Sequence, residues 1–425
     1  MPPHEGLVHP PEYNLKDSNV ELINSALDHQ VKYNSATTEP AWREPDTLGR
    51  APGLHVWRIE QFEVVAWPKE RYGEFYDGDS YIVLHSTKVD HADSSDEQEK
   101  EAGHEQQLHH DIYFWLGSKT TQDEAGTAAY KTVELDEYLH GAATQHREVQ
   151  AHPSPEFVGL FPRLTVRAGG VRSGFRHVVA TDGEKEEQRK TLLRVFKHPG
   201  SGRSGSVIVH EVEPDWRSLD DRDVFVLDAT QKIWVWQGRR CSPMEKGKAA
   251  QVVHDLTQAK HVEVEVLSQL EARSKVVVDM LGGKEVEQLS FTCPRPLSSR
   301  KRAVAEEEEE DGEGEGESPR QRKLFRLSDA HGSLSFDLVK EGDRIGKSDL
   351  DGKDVFLFDA GDRLWVWQGL EASATERALW LRVTQRYVRW LQESPEGSAA
   401  HLIPISKVVQ GHESPAFMRA IAAVA

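Results

Sequence analysis

Ile233 to Gly238 reads IWVWQG, Leu364 to Gly369 reads LWVWQG, and Ile112 to Gly117, IYFWLG, is a third version of the same strand. Ahead of each lies an apolar run opened by an aspartate: Asp79–Leu84 (DSYIVL), Asp223–Asp228 (DVFVLD) and Asp354–Asp359 (DVFLFD). A glutamate stands seven residues after each closing glycine, at Glu124, Glu245 and Glu376, opening a helix-like stretch. The repeated unit is strand, strand, helix, carrying one Asp and one Glu. The glycines are 121 and 131 residues apart, far beyond a solenoid or propeller period and long enough for each copy to enclose its own core. Three domains follow. Val224–Leu227 and Val355–Phe358 scarcely alternate, the pattern of a central strand covered on both faces, which predicts a sheet sandwiched by helices.

Composition narrows the function classes. The chain has 425 residues, 37% of them apolar and 29% charged, and no run approaches the roughly 18 apolar residues that span a bilayer. A net charge of −19 argues against general nucleic-acid binding, which rests on a basic surface neutralising phosphates. Nine of the negative charges lie between Glu306 and Glu317. The first residues, MPPHEGLVHPPEYN, lack the basic and apolar regions of a secretory signal, and only Cys241 and Cys293 occur, so a cytoplasmic protein without a disulfide framework is expected.

Six segments are predicted. Residues 1–52 form a polar extension with one short helix capped by Asp17 or Ser18, with Val20, Ile23 and Leu27 at helical spacing. Residues 53–180 form domain one, opening on LHVWRIEQFEVVAW, whose alternation suggests a strand pair; within it Val89 to His110 reads as a solvated hairpin insertion. Residues 181–191 are a linker and 192–283 domain two. Residues 284–322 are an extended, self-repelling acidic linker, either a plain spacer or an electrostatic regulator, and 323–425 are domain three.

Trp234 with Trp236, and Trp365 with Trp367, share a strand face at spacing two and are assigned to the core in preference to an exposed aromatic platform. The paired histidines His109 and His110 are read as solvated. For the carboxylates two readings stand. Asp favours a strand-entry turn and Glu a helix N-terminus. Alternatively, a buried Asp and Glu pair needs a cation, and calcium accepts carboxylates and main-chain carbonyls at flexible geometry. Three copies of both residues favour calcium. No HExxH, CxxC, phosphate-binding loop or GxSxG pattern occurs; a hydrolase using the carboxylates ranks low, since catalytic pairs are rarely tripled.

These motifs, in this order, resemble the gelsolin and villin family of calcium-regulated actin-severing and capping proteins, and with three repeats the chain is similar to its short severin and fragmin branch. The likeness covers about residues 40–425 and is densest in EPAWREPDTLGRAPGLHVWRIEQF (39–62), the Asp111–Gln150 run and GGVRSGFRHV (169–178). It implies an α+β fold of three gelsolin-like domains, each a mixed central β-sheet between a long and a short helix. It further implies calcium in domain one at the Gly78 carbonyl, Asp79, Glu124 and the Val171 carbonyl. A second calcium, shared with actin, would use Asp136 and the Gly141 and Ala143 carbonyls. Domain two would use the Arg222 carbonyl, Asp223 and Glu245, and domain three the Lys353 carbonyl, Asp354 and Glu376.

The helix Gln122–Leu139 carries more apolar surface than one buried stripe requires: Ala125, Ala129 and Leu135 on one side, Tyr130, Val133 and Glu137 on another. By the resemblance its second face wedges into a cleft of actin, with Gln122, Tyr130, Val133, Asp136, Glu137 and Phe175 as contacts. Domain two would hold the filament side. Phosphoinositides, phosphatidylinositol 4,5-bisphosphate among them, would oppose this at Arg163, Arg167, Arg172, Arg194, Lys197 and Arg203. The expected protein is a monomer that severs actin filaments and caps their barbed ends under calcium control; capping or monomer binding without severing is the alternative.

Overall fold

The computed structural model describes residues 33–43, 48–88, 108–170, 190–198, 206–259, 261–287, 290–295, 321–342, 344–361, 363–393 and 403–422. The expected helix around Val20 to Leu27, the acidic run, and the candidates Val171, Arg172, Phe175 and Arg203 lie outside them.

Domain one runs β1 (Gly53–Glu60), β2 (Glu63–Ala66), β3 (Glu74–Tyr76), β4 (Ser80–Lys88), β5 (Leu108–Leu116), α1 (Gln122–Tyr138), β6 (Ala143–Val149), α2 (Pro155–Gly159) and β7 (Leu164–Arg167). Strands β2, β1, β4, β5 and β6 lie side by side, antiparallel except for the β5–β6 pair. Alternate residues of β4 serve opposite faces. Ile82 and Leu84 pack with Ala128, Leu135 and Leu139 of α1, while Tyr81 and Val83 pack with Phe157 and Val158 of α2.

Domain two repeats the plan with β8 (Thr191–Lys197), β9 (Val207–Val212), β10 (Val224–Asp228), β11 (Lys232–Gln237), α3 (Pro243–Ala259), β12 (Glu263–Ser268) and α4 (Lys275–Met280). Domain three has β13 (Lys323–Ser328), β14 (Ser335–Glu341), β15 (Val355–Asp359), β16 (Leu364–Gln368), α5 (Ala374–Glu393), β17 (Ile405–Val409) and α6 (Pro415–Ile421). Every residue of β10 and β15 is buried, because the long helix covers one sheet face and the short helix the other. Each sheet is mixed, with β11–β12 and β16–β17 parallel. Trp236, Trp365 and Trp367 are core residues as expected; Trp234 is half-buried, with Lys232 Nζ 4.5 Å from its ring centre.

The repeated glycine has a steric cause. Gly117, Gly238 and Gly369 donate their N–H to the carbonyls of Asp79, Asp223 and Asp354 at 3.0, 3.0 and 3.1 Å. A Cβ would come within 2.4 Å of a backbone carbonyl oxygen at all three, so any side chain there would push the two strands apart.

Two arrangements were not legible beforehand. The β3–β7 pair leaves domain one and extends the domain-two sheet, giving the order β12, β11, β10, β8, β9, β7, β3. On the other side β17 pairs with β6, so domains one and three share a ten-stranded sheet in the order β14, β13, β15, β16, β17, β6, β5, β4, β1, β2. Domain one also begins before residue 53: Ala36, Trp42 and Leu48 belong to its core, and Trp42 Nε1 donates to Glu134 Oε1 at 3.2 Å.

Two sequence expectations are corrected. Residues 108–110 are not part of a solvated insertion; they begin β5, where His109 and His110 are buried and His110 Nδ1 sits 2.8 Å from Ser86 Oγ. The core stripe of α1 is Ala128, Thr132, Leu135 and Leu139, while Ala125 and Ala129 are only half-buried.

Candidate metal centres and binding surface

The repeated Asp is buried in all three domains, and so is the repeated Glu, at the third position of each long helix. The glutamate closes a capping box. Glu124 Oε2 accepts from Thr121 N at 3.5 Å and Glu124 N donates to Thr121 Oγ1 at 3.3 Å. The Ser242–Glu245 pair does the same at 2.8 and 3.3 Å, and the Ser373–Glu376 pair at 3.1 and 3.2 Å. The helix-start reading therefore accounts for one carboxylate oxygen. The other oxygen separates the domains. Glu245 Oε1 accepts from Lys197 N at 2.8 Å and Glu376 Oε1 from Asp329 N at 2.9 Å. Among the described residues, Glu124 Oε1 accepts no hydrogen bond.

A third repeated residue escaped the sequence reading. Arg58, Arg194 and Arg326 occupy matching places on β1, β8 and β13, the strands beside each Asp strand. Their closest nitrogens lie 3.5 Å from Asp79, 2.6 Å from Asp223 and 4.0 Å from Asp354. The signal was present as one Arg among apolar residues in HVWRIE, LLRVFK and LFRLS.

Whether calcium suits these donors differs from domain to domain. Among the described residues no three His, Cys, Asp or Glu side chains are grouped to hold a metal, so main-chain carbonyls would have to contribute. In domain one, Ser80 Oγ lies 2.8 Å from Thr120 Oγ1, which donates to Glu124 Oε2 at 3.2 Å, linking the Asp and Glu segments. The chain leading to Val171 is laid on this corner: Gly78 N donates to Gly169 O at 2.7 Å, and a Cβ on Gly170 would sit 2.4 Å from Asp79 Oδ1. Gly78, Asp79 and the second oxygen of Glu124 form an all-oxygen set of the kind calcium takes. In domain three, burial and the nearby charges of Asp329 and Asp354 push Glu376 up to about 7. A carboxylate raised in this way gains from a cation; both oxygens of Glu376 accept backbone N–H groups, but the guanidinium near Asp354, that of Arg326, is 4.0 Å away, which leaves the pair's charge to be met by a metal.

Domain two does not fit. Asp223 is enclosed by Arg194 and also by Arg295, whose Nη2 lies 2.9 Å from Asp223 Oδ1 and 3.7 Å from Glu245 Oε1. A guanidinium stands where the expected metal at Arg222, Asp223 and Glu245 would go.

Tyr130 and Val133 project from α1 with 57% and 37% of their surface exposed, Gln122 is exposed and Glu137 half-buried. Asp136 is turned inward. Its Oδ1 accepts from Ala143 N at 3.0 Å and its Oδ2 from the Gln145 amide at 2.6 Å. Burial pushes its pKa up, opposed by Lys407, which pairs with Gln145 across β17 and β6. Asp136 and Ala143 are buried, Asp136 by its bonds within domain one, while the adjacent Gly141 is half-buried with open space where a Cβ would stand.

The basic residues are corrected too. Arg194 is fully buried against Asp223 and presents no surface to a lipid headgroup. Arg163 is held by Asp255 at 2.6 Å and Arg167 by Glu211 at 3.1 Å.

A family model described as Gelsolin repeat matches residues 62–158, 205–279 and 339–418. The chain is 35% identical over 422 residues to Gelsolin-like protein 1 of Lumbricus terrestris, covering 98% of this chain and 99% of that one. It is 32% identical to Severin of Echinococcus granulosus, again covering 98% and 99%. Gelsolin of Gallus gallus is 33% identical over 80% of this chain, which spans 39% of that protein. The folds and the comparisons define one class, proteins built of repeated gelsolin domains that regulate by binding and are not enzymes. The chain belongs to the gelsolin family, in a three-repeat form.

Proposed function

We propose that this protein binds actin, severs its filaments and caps their barbed ends when calcium is present. The observation that carries the reading is α1, a helix with a complete core stripe that nonetheless holds Tyr130 and Val133 out to solvent next to a buried carboxylate, Asp136. A surface aromatic beside apolar residues is the composition of an interface anchor, and an amphipathic helix offering it suits a groove.

Calcium, when bound, would supply positive charge to Asp79 with Glu124 and to Asp354 with Glu376. The chain's part is to couple those sites to the docking of domain three on domain one. Domain three holds domain one through three β-pairs, Ile405 with Arg147, Ser406 with His146 and Lys407 with Gln145, and through the Arg363–Glu156 ion pair at 2.6 Å. Calcium that binds the undocked arrangement more tightly than the docked one would shift the docking equilibrium by its differential affinity. Undocking removes the Lys407 charge from the neighbourhood of Asp136, and a calcium shared with actin at Asp136, Gly141 and Ala143 would further have to replace the bonds of Asp136 to Ala143 N and the Gln145 amide. Phosphoinositide control would have to act on Lys197 or displace Arg163 and Arg167 from Asp255 and Glu211. Membrane spanning has no support among the described residues, where no helix is long and apolar enough to cross a bilayer.

Imaging single fluorescent actin filaments in micromolar calcium and then in excess chelator tests the proposal. Breaks appearing only with calcium support it. Intact filaments whose barbed ends stop growing leave capping without severing, and no effect on either overturns the actin reading.

A further inference from the structure

We infer that domain two takes no calcium, because Arg295 is a tethered cation built into the place between Asp223 and Glu245. The inference rests on the calcium reading of the repeats given above, and refines it by locating control in domains one and three.

Asp223 is completely buried. Four guanidinium nitrogens surround it: Arg194 Nε and Nη2 each 2.6 Å from Oδ2, and Arg295 Nη2 and Nε 2.9 and 3.2 Å from Oδ1. A carboxylate offers about four lone-pair directions, so Asp223 has none left for a metal. Glu245 accepts on both oxygens as Glu376 does, Oε1 from Lys197 N at 2.8 Å and Oε2 from the amide and hydroxyl of Ser242 at 2.8 and 2.9 Å, so it is the two arginines that set domain two apart. A dication placed here would meet two fixed positive charges at contact distance.

Arg295 does not wander into this position; the backbone delivers it. Residues 290–294 form a strap over the Asp220–Asp223 turn. Ser290 Oγ and Phe291 N donate to Asp221 at 2.9 and 2.8 Å, Cys293 N donates to Asp220 Oδ2 at 2.9 Å, and Arg194 donates to the carbonyls of Cys293 and Pro294 at 2.9 and 3.0 Å. Phe291 is buried edge-on against Trp236 at 5.7 Å. With its ordering already supplied by these contacts, the guanidinium competes at the high effective concentration of a short tether. Arg also matches carboxylates with a planar fork that remains charged at any working pH. The strap therefore gives domain two one form, with or without calcium, and anchors the start of the acidic linker to it.

The test counts calcium equivalents bound by the full chain, by equilibrium dialysis, with thermal melts confirming that each variant folds. Glu124→Gln and Glu376→Gln are expected to lower the count by one each, and the near-isosteric Glu245→Gln to leave it unchanged. Arg295→Asp, which exchanges the cation for a third carboxylate, is expected to gain one equivalent that a further Glu245→Gln removes. A lowered count in Glu245→Gln alone, or no gain in Arg295→Asp, overturns the inference. If Glu124→Gln and Glu376→Gln change nothing while Arg295→Asp still gains one, the calcium reading of the other domains falls and the arginine assignment stands.

Discussion

His146 Nδ1 lies 2.8 Å from Ser406 Oγ, a buried hydrogen bond between residues 260 positions apart that joins domain one to domain three. The imidazole is held from its other side by Asp111 Oδ1 at 2.8 Å and stacked on Tyr113. This bond stands beside three β-pairs, the Arg363–Glu156 ion pair and the edge contact of His146 with Trp365, among the contacts that join the two domains. Ser406→Ala removes it and leaves a buried nitrogen unpaired, a loss of about 1 kcal/mol, or roughly fivefold in the closed-to-open ratio. Small-angle scattering during a calcium titration should show opening at a lower calcium level than in the wild type; superimposable titrations would remove this bond from the latch.

The exposed face of α1 is separable from its core stripe. Tyr130→Ala combined with Val133→Ala should weaken actin binding by about 2 kcal/mol or more, on the order of thirtyfold, as loss of an aromatic anchor does. The melting temperature should stay within the small range of surface substitutions. Barbed-end elongation assays read the first and calorimetry the second. Undiminished capping would place the actin contact elsewhere.

Glu376 gives a pH dependence with a definite sign. Burial and the neighbouring Asp329 and Asp354 push its carboxyl from the ordinary 4.5 up to about 7 in the folded chain, so between those values the folded state holds a proton that the unfolded state releases. Stability of the metal-free chain is therefore favoured at the acid end of that window and declines as pH rises through it. Calcium must displace the proton, so affinity at domain three should fall as pH drops below 7, by up to about tenfold per unit. Calcium titrations at pH 6 and pH 8 should differ in the wild type and lose this component in Glu376→Gln.

Trp42 lies ahead of the first strand yet is completely buried, edge-on to Trp57 at 5.0 Å and bonded to Glu134. Glu134 in turn binds Lys131 at 3.0 Å, and Lys131 also pairs with Glu39. Trp42→Ala should cost about 3–5 kcal/mol, the range for emptying a large aromatic site. A chain whose melting temperature is unchanged would mean that residues 33–43 are dispensable to domain one.

How much was legible in the residues can be judged at particular positions. Gly117, Gly238 and Gly369 were readable because one steric conflict with a neighbouring carbonyl recurs three times. Glu124, Glu245 and Glu376 were readable as helix-start residues for the same reason: a capping box depends on residues three apart. Arg58, Arg194 and Arg326 were not read, although they repeat, because a lone arginine in an apolar strand looks like a solvated residue until the neighbouring strand is placed beside it. The resemblance places Arg194 in a basic segment facing a lipid surface, and its burial reverses that. Arg295 carried no local signal. It is 72 residues from Asp223, and only the strap brings them together.

The sequence by itself determined the number of domains and a helix-covered sheet in each, since these follow from hydrophobic period, caps and close backbone approach, all properties of neighbouring residues; the mixed sheet between a long and a short helix is what the resemblance implied. What the tertiary structure decided was how domain one divides its strands between two sheets, that Asp136 is turned inward onto Ala143 and Gln145, and that one of three similar carboxylate pairs is already neutralised. Those outcomes depend on which distant groups share a low-dielectric space, where a charge at 3 Å outweighs any local preference.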